Sequence, residues 1–212
     1  MVSNKQKNDD DIFQESIQLH QSGDLNKAKK GFEYLISKYP ESADLCNSLG
    51  TLNLQLGNDK KGCSLLEKSL QINPNQPMIS FNLGNSYLNQ KNLTKALEFY
   101  TTTITKAPEY LEAYIKKGEL LTNLKIHNEA IDCLKSALEL APRNLKILNA
   151  IGINLLEIGE AKSALGYFTQ CIKIDKDKAI LYNNAGLATF RMNRFDESIE
   201  FFNLCIKNEP TI

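Results

Sequence analysis

Apolar residues recur along this chain at intervals of three and four positions, and short polar or glycine-containing turns separate one series from the next. Leu83 and Tyr87 belong to one such series, and Ala96, Tyr100 and Ile104 belong to the series that follows it. This spacing places side chains on one face of an α-helix. The pattern therefore predicts a succession of short amphipathic helices that come in pairs, A and B.

Prolines give the length of the repeating unit. Pro40, Pro74, Pro108 and Pro142 follow one another at intervals of 34 residues, and Pro210 lies two further intervals on, with Lys176 at the intermediate place. Aligning the chain on these residues predicts six repeats. The repeats begin at Asp9, Ala43, Pro77, Leu111, Leu145 and Ala179.

Three other places hold one kind of residue in all six repeats or in five of them. Glycine occupies the eighth place as Gly50, Gly84, Gly118, Gly152 and Gly186. A small residue occupies the twentieth place as Ala28, Gly62, Ala96, Ala130, Ala164 and Ser198. An aromatic residue or leucine occupies the twenty-fourth place as Phe32, Leu66, Tyr100, Leu134, Phe168 and Phe202. We expect the small residues to bring helix B close to helix A, and the glycines to bring neighbouring repeats together.

This pattern resembles the tetratricopeptide repeat over residues 9–210, with SFNLGNSYLNQKNLTKALEFYTTTITKAP as one of its best examples. The first repeat departs from it with Glu15-Ser16 in place of Leu-Gly, and no repeat has tryptophan at its fourth place. The resemblance implies an all-α, right-handed superhelical solenoid whose A helices line a concave groove. We predict a flexible N-terminal tail over residues 1–8 and a single solenoid over residues 9–212.

The ends of the helices also follow from residue type. Gly23, Gly57, Gly159 and Asn193 lie between helices A and B and tolerate a left-handed backbone. Proline at the end of each repeat stops helix B. Because Lys176 replaces proline in the fifth repeat, helix B there can extend by a residue or two, and Asp175 and Asp177 beside it are equally suited to a helix start.

Charge and composition exclude several function classes. Lys plus Arg and Asp plus Glu number 25 each, so there is no basic field that would attract nucleic acid or an anionic membrane. The sequence has no secretory signal and no apolar run long enough to span a bilayer. Five cysteines without a CxxC pair are typical of a reducing compartment, so we predict a cytoplasmic protein in which Cys63 and Cys133 are the more exposed thiols.

Motifs of catalysis are absent from the sequence. It contains no phosphate-binding glycine loop, no HExxH and no G-x-S-x-G, and its two histidines, His20 and His127, lie far apart in the stack. We expect His127 to be structural and His20 to be exposed without a role. The prediction is that this segment is not an enzyme and needs no metal or cofactor.

The predicted function resides in the groove. Places two, five, six, nine, twelve and thirteen of each A helix form one stripe, and amides are frequent there and beside it, including Asn149, Asn183 and Asn184. Amides both donate and accept, so they can hold the main chain of an extended peptide. The predicted protein- or peptide-binding residues are Asn47, Gln55, Asn82, Asn85, Asn89, Asn123, Ile153, Ile180, Leu187 and Phe190.

The family resemblance suggests which partners to consider. O-linked N-acetylglucosamine transferases use asparagine at the sixth place, which only Asn82 and Asn184 match. The carboxylate clamp that binds chaperone tails would need Lys, Asn, Asn, Lys and Arg across three repeats, and no window of this chain supplies that set. We therefore predict a protein-protein interaction scaffold without chaperone-tail binding. The alternative is the substrate-recruiting region of a glycosyltransferase or sulfotransferase.

The last repeat leaves an apolar face without a following helix. Ile199, Phe202 and Ile206 lie at places that receive the next A helix in earlier repeats. Three explanations remain open. The chain could be part of a longer protein, a homodimer could form through this face, or the end could fray in a free-standing adaptor.

Overall fold

The computed structural model describes residues 8–208 of the chain. Over this range the chain forms twelve helices. They are α1 (Asp9–Gln21), α2 (Leu25–Lys38), α3 (Ala43–Gln55), α4 (Asp59–Ile72), α5 (Pro77–Asn89), α6 (Leu93–Lys106), α7 (Leu111–Asn123), α8 (His127–Leu140), α9 (Leu145–Glu157), α10 (Ala161–Ile174), α11 (Ala179–Arg191) and α12 (Phe195–Asn208).

Every repeat places its helices at the same positions. The odd-numbered A helices begin at the six predicted repeat starts and have 13 residues each, and the even-numbered B helices have 14 residues each. Of the predicted tail, residues 1–7 lie outside the described range. Asn8 lies inside it and is the N-cap of α1, where its side-chain oxygen accepts a 2.7 Å hydrogen bond from the Asp11 amide.

The chain divides into two compact parts, and the boundary lies between Lys106 and Ala107. The first contains α1–α6, and its core includes Phe32, Leu35 and Leu49 from neighbouring helices. The second contains α7–α12, and Ile151 and Phe168 are fully buried in its core. The single continuous solenoid over residues 9–212 stays a prediction.

The glycines at the eighth place bring the two helices of one repeat together. A β-carbon added to Gly152 would lie 2.5 Å from Cε1 of Phe168, and one added to Gly84 would lie 2.6 Å from Cε1 of Tyr100. Both ring residues belong to helix B of the same repeat, so our expectation that these glycines bring neighbouring repeats together was wrong. The missing side chain makes room for the large residue at the twenty-fourth place.

A left-handed residue closes each turn between helices A and B. The predicted residues Gly23, Gly57, Gly159 and Asn193 have φ values of 87°, 75°, 89° and 59°. Lys91 and Lys125 occupy the same fifteenth place, and each has a φ of 61°. The repeat therefore imposes this backbone conformation even where the side chain disfavours it.

The fifth repeat ends like the others although it lacks proline. Helix α10 stops at Ile174, so our expectation of a longer helix at Lys176 was wrong. Asp175 ends the helix because its backbone is extended and its side-chain oxygen accepts a 3.2 Å hydrogen bond from the Asp177 amide. Such an Asx turn offers the chain a local alternative to another helical turn.

The thiols are less accessible than predicted. Cys63 is only 3% exposed, so its assignment as an exposed thiol was wrong. Cys133 is half-buried, its Sγ contacts the carbonyl oxygen of Tyr114 at 3.4 Å, and burial raises the pKa of its thiol to about 11. Neither group has the lowered pKa that a reactive thiol requires.

Candidate functional site

Neighbouring A helices are joined by their side chains within each compact part. We call α1, α3 and α5 the N-terminal A face, and α7, α9 and α11 the C-terminal A face. On the first, Nε2 of His20 lies 2.7 Å from Oε1 of Gln55. On the second, Arg191 donates to the carbonyl of Leu156 and, at 3.4 Å, to Oε1 of Glu157. Side chains at the twelfth and thirteenth places of adjacent repeats therefore meet, as the helical spacing predicts.

The ten predicted binding residues divide equally between these faces. Asn47, Gln55, Asn82, Asn85 and Asn89 lie on the N-terminal A face, and Asn123, Ile153, Ile180, Leu187 and Phe190 lie on the C-terminal A face. The structure thus places amides on the first face and mainly apolar side chains on the second. Their role in binding stays a prediction.

Three of the amides on the N-terminal A face already make bonds within the protein. Asn85 accepts a 2.8 Å hydrogen bond from the hydroxyl of Tyr100, and Asn47 accepts one of 3.3 Å from Thr51. Gln55 is the partner of His20, so that histidine is not a free exposed group. These bonds orient the amides and reduce the number of groups that they can offer to a peptide.

The C-terminal A face exposes a strip of large apolar side chains. Ile153 of α9 is 37% exposed, and on α11 Ile180 is 56%, Leu187 40% and Phe190 54% exposed. The Phe190 ring packs edge-on against Phe195, with 5.7 Å between ring centroids. Exposed apolar groups that lie together on a surface commonly mark an interaction site.

Charged side chains on this face are engaged in ion pairs. Glu119 pairs with both Lys116 and Lys146, and Lys178 pairs with Asp175 at 3.3 Å. Because one carboxylate serves two ammonium groups, the group around Glu119 carries one net positive charge. These pairs are largely solvent-exposed and add little to stability.

The sequence places Asn149 and Asn184 in the amide-rich stripe, although neither is among the ten predicted binding residues. Nδ2 of Asn184 donates a 2.9 Å hydrogen bond to Oδ1 of Asn149, which joins α11 to α9. Both residues belong to the amide-rich stripe, but they occupy different places of the repeat. The signal that could have found them is the adjacency of the fifth place of one repeat to the sixth place of the next.

Another asparagine of α9 has a structural role. Asn154 is fully buried, and its Nδ2 donates to the hydroxyl of Thr122 and to the carbonyl of Ala150, both at 2.8 Å. Its Oδ1 lies 2.9 Å from Nδ1 of His127, which donates if the ring carries its proton there. This satisfied network gives His127 the structural role that we expected.

Helix α12 exposes only part of the apolar face that the sequence indicated. Phe202 was wrongly assigned to that face, because its half-buried ring packs against Gly186 of its own repeat. Ile199 is 58% and Ile206 68% exposed, whereas Leu165 and Ile172, at the same places of the fifth repeat, are half-buried. Glu209–Ile212 lie outside the described residues. Dimerisation through this face stays a prediction.

None of the helices within residues 8–208 combines the length and the apolar character needed to cross a bilayer. In the same range no three side chains of His, Cys, Asp and Glu are grouped so that they could hold a metal ion.

Comparison with protein families gives matches along most of the chain. Models described as tetratricopeptide repeat match residues 14–42, 43–76, 65–98, 111–144 and 179–212. Among curated proteins, the peroxisomal targeting signal receptor of Candida albicans is 24% identical over 212 residues, covering 96% of this chain and 36% of that protein. The chain therefore spans about a third of the length of such relatives.

Solved structures share the fold. YrrB, described as a TPR protein with an unusual peptide-binding site, aligns with a TM-score of 0.74 and 19% identity over 84% of this chain and 92% of its own. MamA aligns with a TM-score of 0.73 and 21% identity over 80% of this chain and 93% of its own. At these identities the likeness concerns the fold alone, and it confirms the predicted class, an all-α helical-repeat solenoid.

Proposed function

We propose, from the premise that this chain belongs to the tetratricopeptide repeat family, that it is a scaffold whose A faces bind a segment of a partner protein. The fold is of the kind that binds proteins, and YrrB is described as having a peptide-binding site. The observation that carries the proposal is the exposed apolar strip of Ile153, Ile180, Leu187 and Phe190.

An apolar strip of this kind favours a partner segment over a small polar molecule. The four side chains come from α9 and α11. Ile180 lines one cavity with Asn149, and Ile153 lines another with Asn123, whose amides can bond to a main chain. Burying such side chains supplies the affinity, and hydrogen bonds to the main chain fix the orientation of the segment. The alternative function is a substrate-recruiting region of a larger enzyme. It would also require this face to bind a protein segment, and it stays a prediction.

The test is selection of binders from a phage-displayed library of random linear peptides on the immobilised full chain. We expect enriched peptides whose affinity falls about tenfold or more in a Leu187→Asp variant, because a charge replaces an apolar contact. Leu140→Asp is the matched control, since Leu140 is 44% exposed at the end of α8 and lies outside the A face.

Circular dichroism of each variant distinguishes a loss of affinity from a loss of folded structure. If no peptide is enriched, or if Leu187→Asp and Leu140→Asp weaken binding equally, the proposed function is wrong.

A further inference from the structure

Two contacts between the second and third repeats show which side of a B helix meets the following repeat. Nε2 of Gln90 donates to Sγ of Cys63 at 3.3 Å, and the hydroxyl of Tyr87 donates a 2.6 Å hydrogen bond to Glu67. Cys63 and Glu67 occupy the twenty-first and twenty-fifth places of their repeat. Side chains at these places of a B helix therefore form a surface between repeats.

The same places on α12 are exposed. They hold Ile199 and Asn203, and Ile206 continues the stripe at the twenty-eighth place. Residues spaced by four and three positions lie on one side of a helix. We call Ile199, Asn203 and Ile206 the end face, and within residues 8–208 all three side chains are exposed. The end face is thus an inter-repeat surface that no described helix covers.

The first A helix is unsuited to cover the end face of another copy. The third, seventh and tenth places of α3 hold buried leucines that share a core with α2, namely Leu45, Leu49 and Leu52. The same places of α1 hold exposed polar side chains, namely Asp11, Glu15 and Gln18. Stacking α1 of one copy on α12 of another would bring carboxylates against apolar side chains, which costs free energy. Head-to-tail stacking of copies is therefore disfavoured.

The charges of α12 favour a second α12 that runs in the opposite direction. Asp196 lies in the first turn of the helix and Glu200 one turn later, whereas Lys207 lies in the last turn. All three are exposed, and within residues 8–208 they form no ion pair, unlike Arg194 and Glu197 of the same helix. Helical spacing places the three on one flank of the end face, about 60–100° around the helix from Ile199.

A twofold axis brings the same flank of both copies together and reverses their direction. With the axis near Asn203, Lys207 of each copy approaches Asp196 and Glu200 of the other. Ile199 of each copy then packs near Ile206 of the other. The two Asn203 amides meet close to the axis, where each can donate to and accept from its counterpart. The end face is therefore complementary to itself in both polarity and charge.

We infer that the end face is the contact surface of a symmetric homodimer, in which two copies of this chain pair their α12 helices antiparallel. The apolar stripe supplies the affinity, and the acidic and basic ends of α12 fix the direction. The interface uses α12 and leaves Ile153, Ile180 and Leu187 of the C-terminal A face unused. The inference is therefore independent of the proposed function.

Sedimentation velocity of the full chain over a concentration series up to about 100 μM tests the inference. We expect the mass to rise with concentration to twice the 23.9 kDa of the chain and to stop there. A monomer throughout the series would overturn the inference. So would a mass that continues to rise beyond the dimer, which is the result expected of head-to-tail stacking.

A matched pair of variants on α12 locates the interface. Ile206→Lys should raise the Kd of the dimer about tenfold or more, because each dimer loses two apolar contacts and gains two charges there. Leu204→Lys makes the same kind of change at an exposed side chain about 140° around the helix from Ile199, and it should change the Kd less than about twofold. Circular dichroism verifies that both variants fold. Equal effects of the two variants would contradict this interface.

A charge exchange tests the antiparallel direction. Lys207→Glu and Glu200→Lys should each weaken the homodimer about threefold to tenfold, because like charges then meet at two places. An equimolar mixture of the two variants should form mixed dimers about as tight as the wild type, since every Glu then faces a Lys. Native mass spectrometry with a mass tag on one variant measures the mixed species.

Failure to form mixed dimers in preference to homodimers would show that the antiparallel pairing is wrong. If Ile206→Lys or Leu204→Lys does not fold, the charge exchange decides alone. Leu187→Asp should leave the dimer mass unchanged, so the scaffold function and the dimer can each fail without the other.

Discussion

The hydroxyl of Tyr100 donates a 2.8 Å hydrogen bond to the side-chain oxygen of Asn85, which links a fully buried ring of α6 to a residue of the N-terminal A face. The Tyr100 ring also packs where Gly84 leaves room for it. A residue that we predicted for binding is thus part of the support of the core. Its removal would affect the fold as well as any ligand.

We expect Asn85→Ala to lower the free energy of unfolding by about 1–2 kcal/mol, because a buried hydroxyl loses its acceptor. Asn89→Ala changes an exposed side chain one helical turn further on and should have an effect within about 0.5 kcal/mol. Urea denaturation measures both. Equal stability of the two variants would show that the bond to Tyr100 contributes nothing.

Glycine at two positions of the same repeat should respond oppositely to alanine. At Gly152 a β-carbon would lie 2.5 Å from the Phe168 ring, and we expect Gly152→Ala to destabilise the chain by about 1–3 kcal/mol through overpacking. At Gly166, in the middle of α10, a β-carbon would meet nothing within 4 Å. Gly166→Ala should therefore stabilise by about 0.5–1 kcal/mol. Thermal unfolding of the two variants would contradict this explanation if both shifts had the same sign.

Glycine should stabilise the chain at the two lysines whose backbone is left-handed. Lys91 and Lys125 have φ values of 61°, where a β-carbon is strained. We expect Lys91→Gly and Lys125→Gly each to raise the free energy of unfolding by about 0.5–1 kcal/mol. Lys91→Ala keeps the β-carbon and serves as control. A gain in the alanine variant as large as in the glycine variant would assign the effect to charge, not to backbone strain.

Acid should weaken a cluster that joins α4, α5 and α6. Glu67 accepts hydrogen bonds from Tyr87 at 2.6 Å and Lys95 at 2.7 Å. Partial burial raises the pKa of the Glu67 carboxyl, but the two bonds outweigh it, so the pKa lies below its ordinary value of 4.5. Above that pH the carboxylate stabilises the fold, and this contribution is lost as the pH falls through the folded-state pKa.

For this partly exposed cluster we expect a loss of about 1 kcal/mol or less on acidification below pH 4.5. Urea denaturation at several pH values measures it, and Glu67→Gln is the control whose stability should fall less over the same interval. Parallel pH profiles of the two proteins would contradict the assignment.

Much of the architecture could be predicted because the repeat encodes it locally. The places of proline and glycine and the helical period of the apolar residues were enough to locate all six pairs of helices. The extension of α10 that we expected at Lys176 is absent, because Asp175 ends the helix through a hydrogen bond of its own side chain.

The site was less predictable because its bonds connect distant residues. Asn85 and Asn89 look equivalent in the sequence, but only Asn85 lies beside Tyr100. Asn149 and Asn184 are separated by 35 positions, and their pairing depends on how α9 and α11 pack. Residue type shows that amides are abundant, whereas three-dimensional contact decides which of them support the fold and which remain open to a partner.

The identical placement of helices in every repeat also bears on how such a gene can change length. If recombination removes or duplicates a stretch of 34 codons in register, each new junction joins a B helix to an A helix at the same places as the junctions already present. An insertion of one or two residues within a helix would instead rotate the apolar residues that follow in that helix by about 100° per inserted residue, away from their neighbours. Length variation among descendants of this gene should therefore occur in whole repeats.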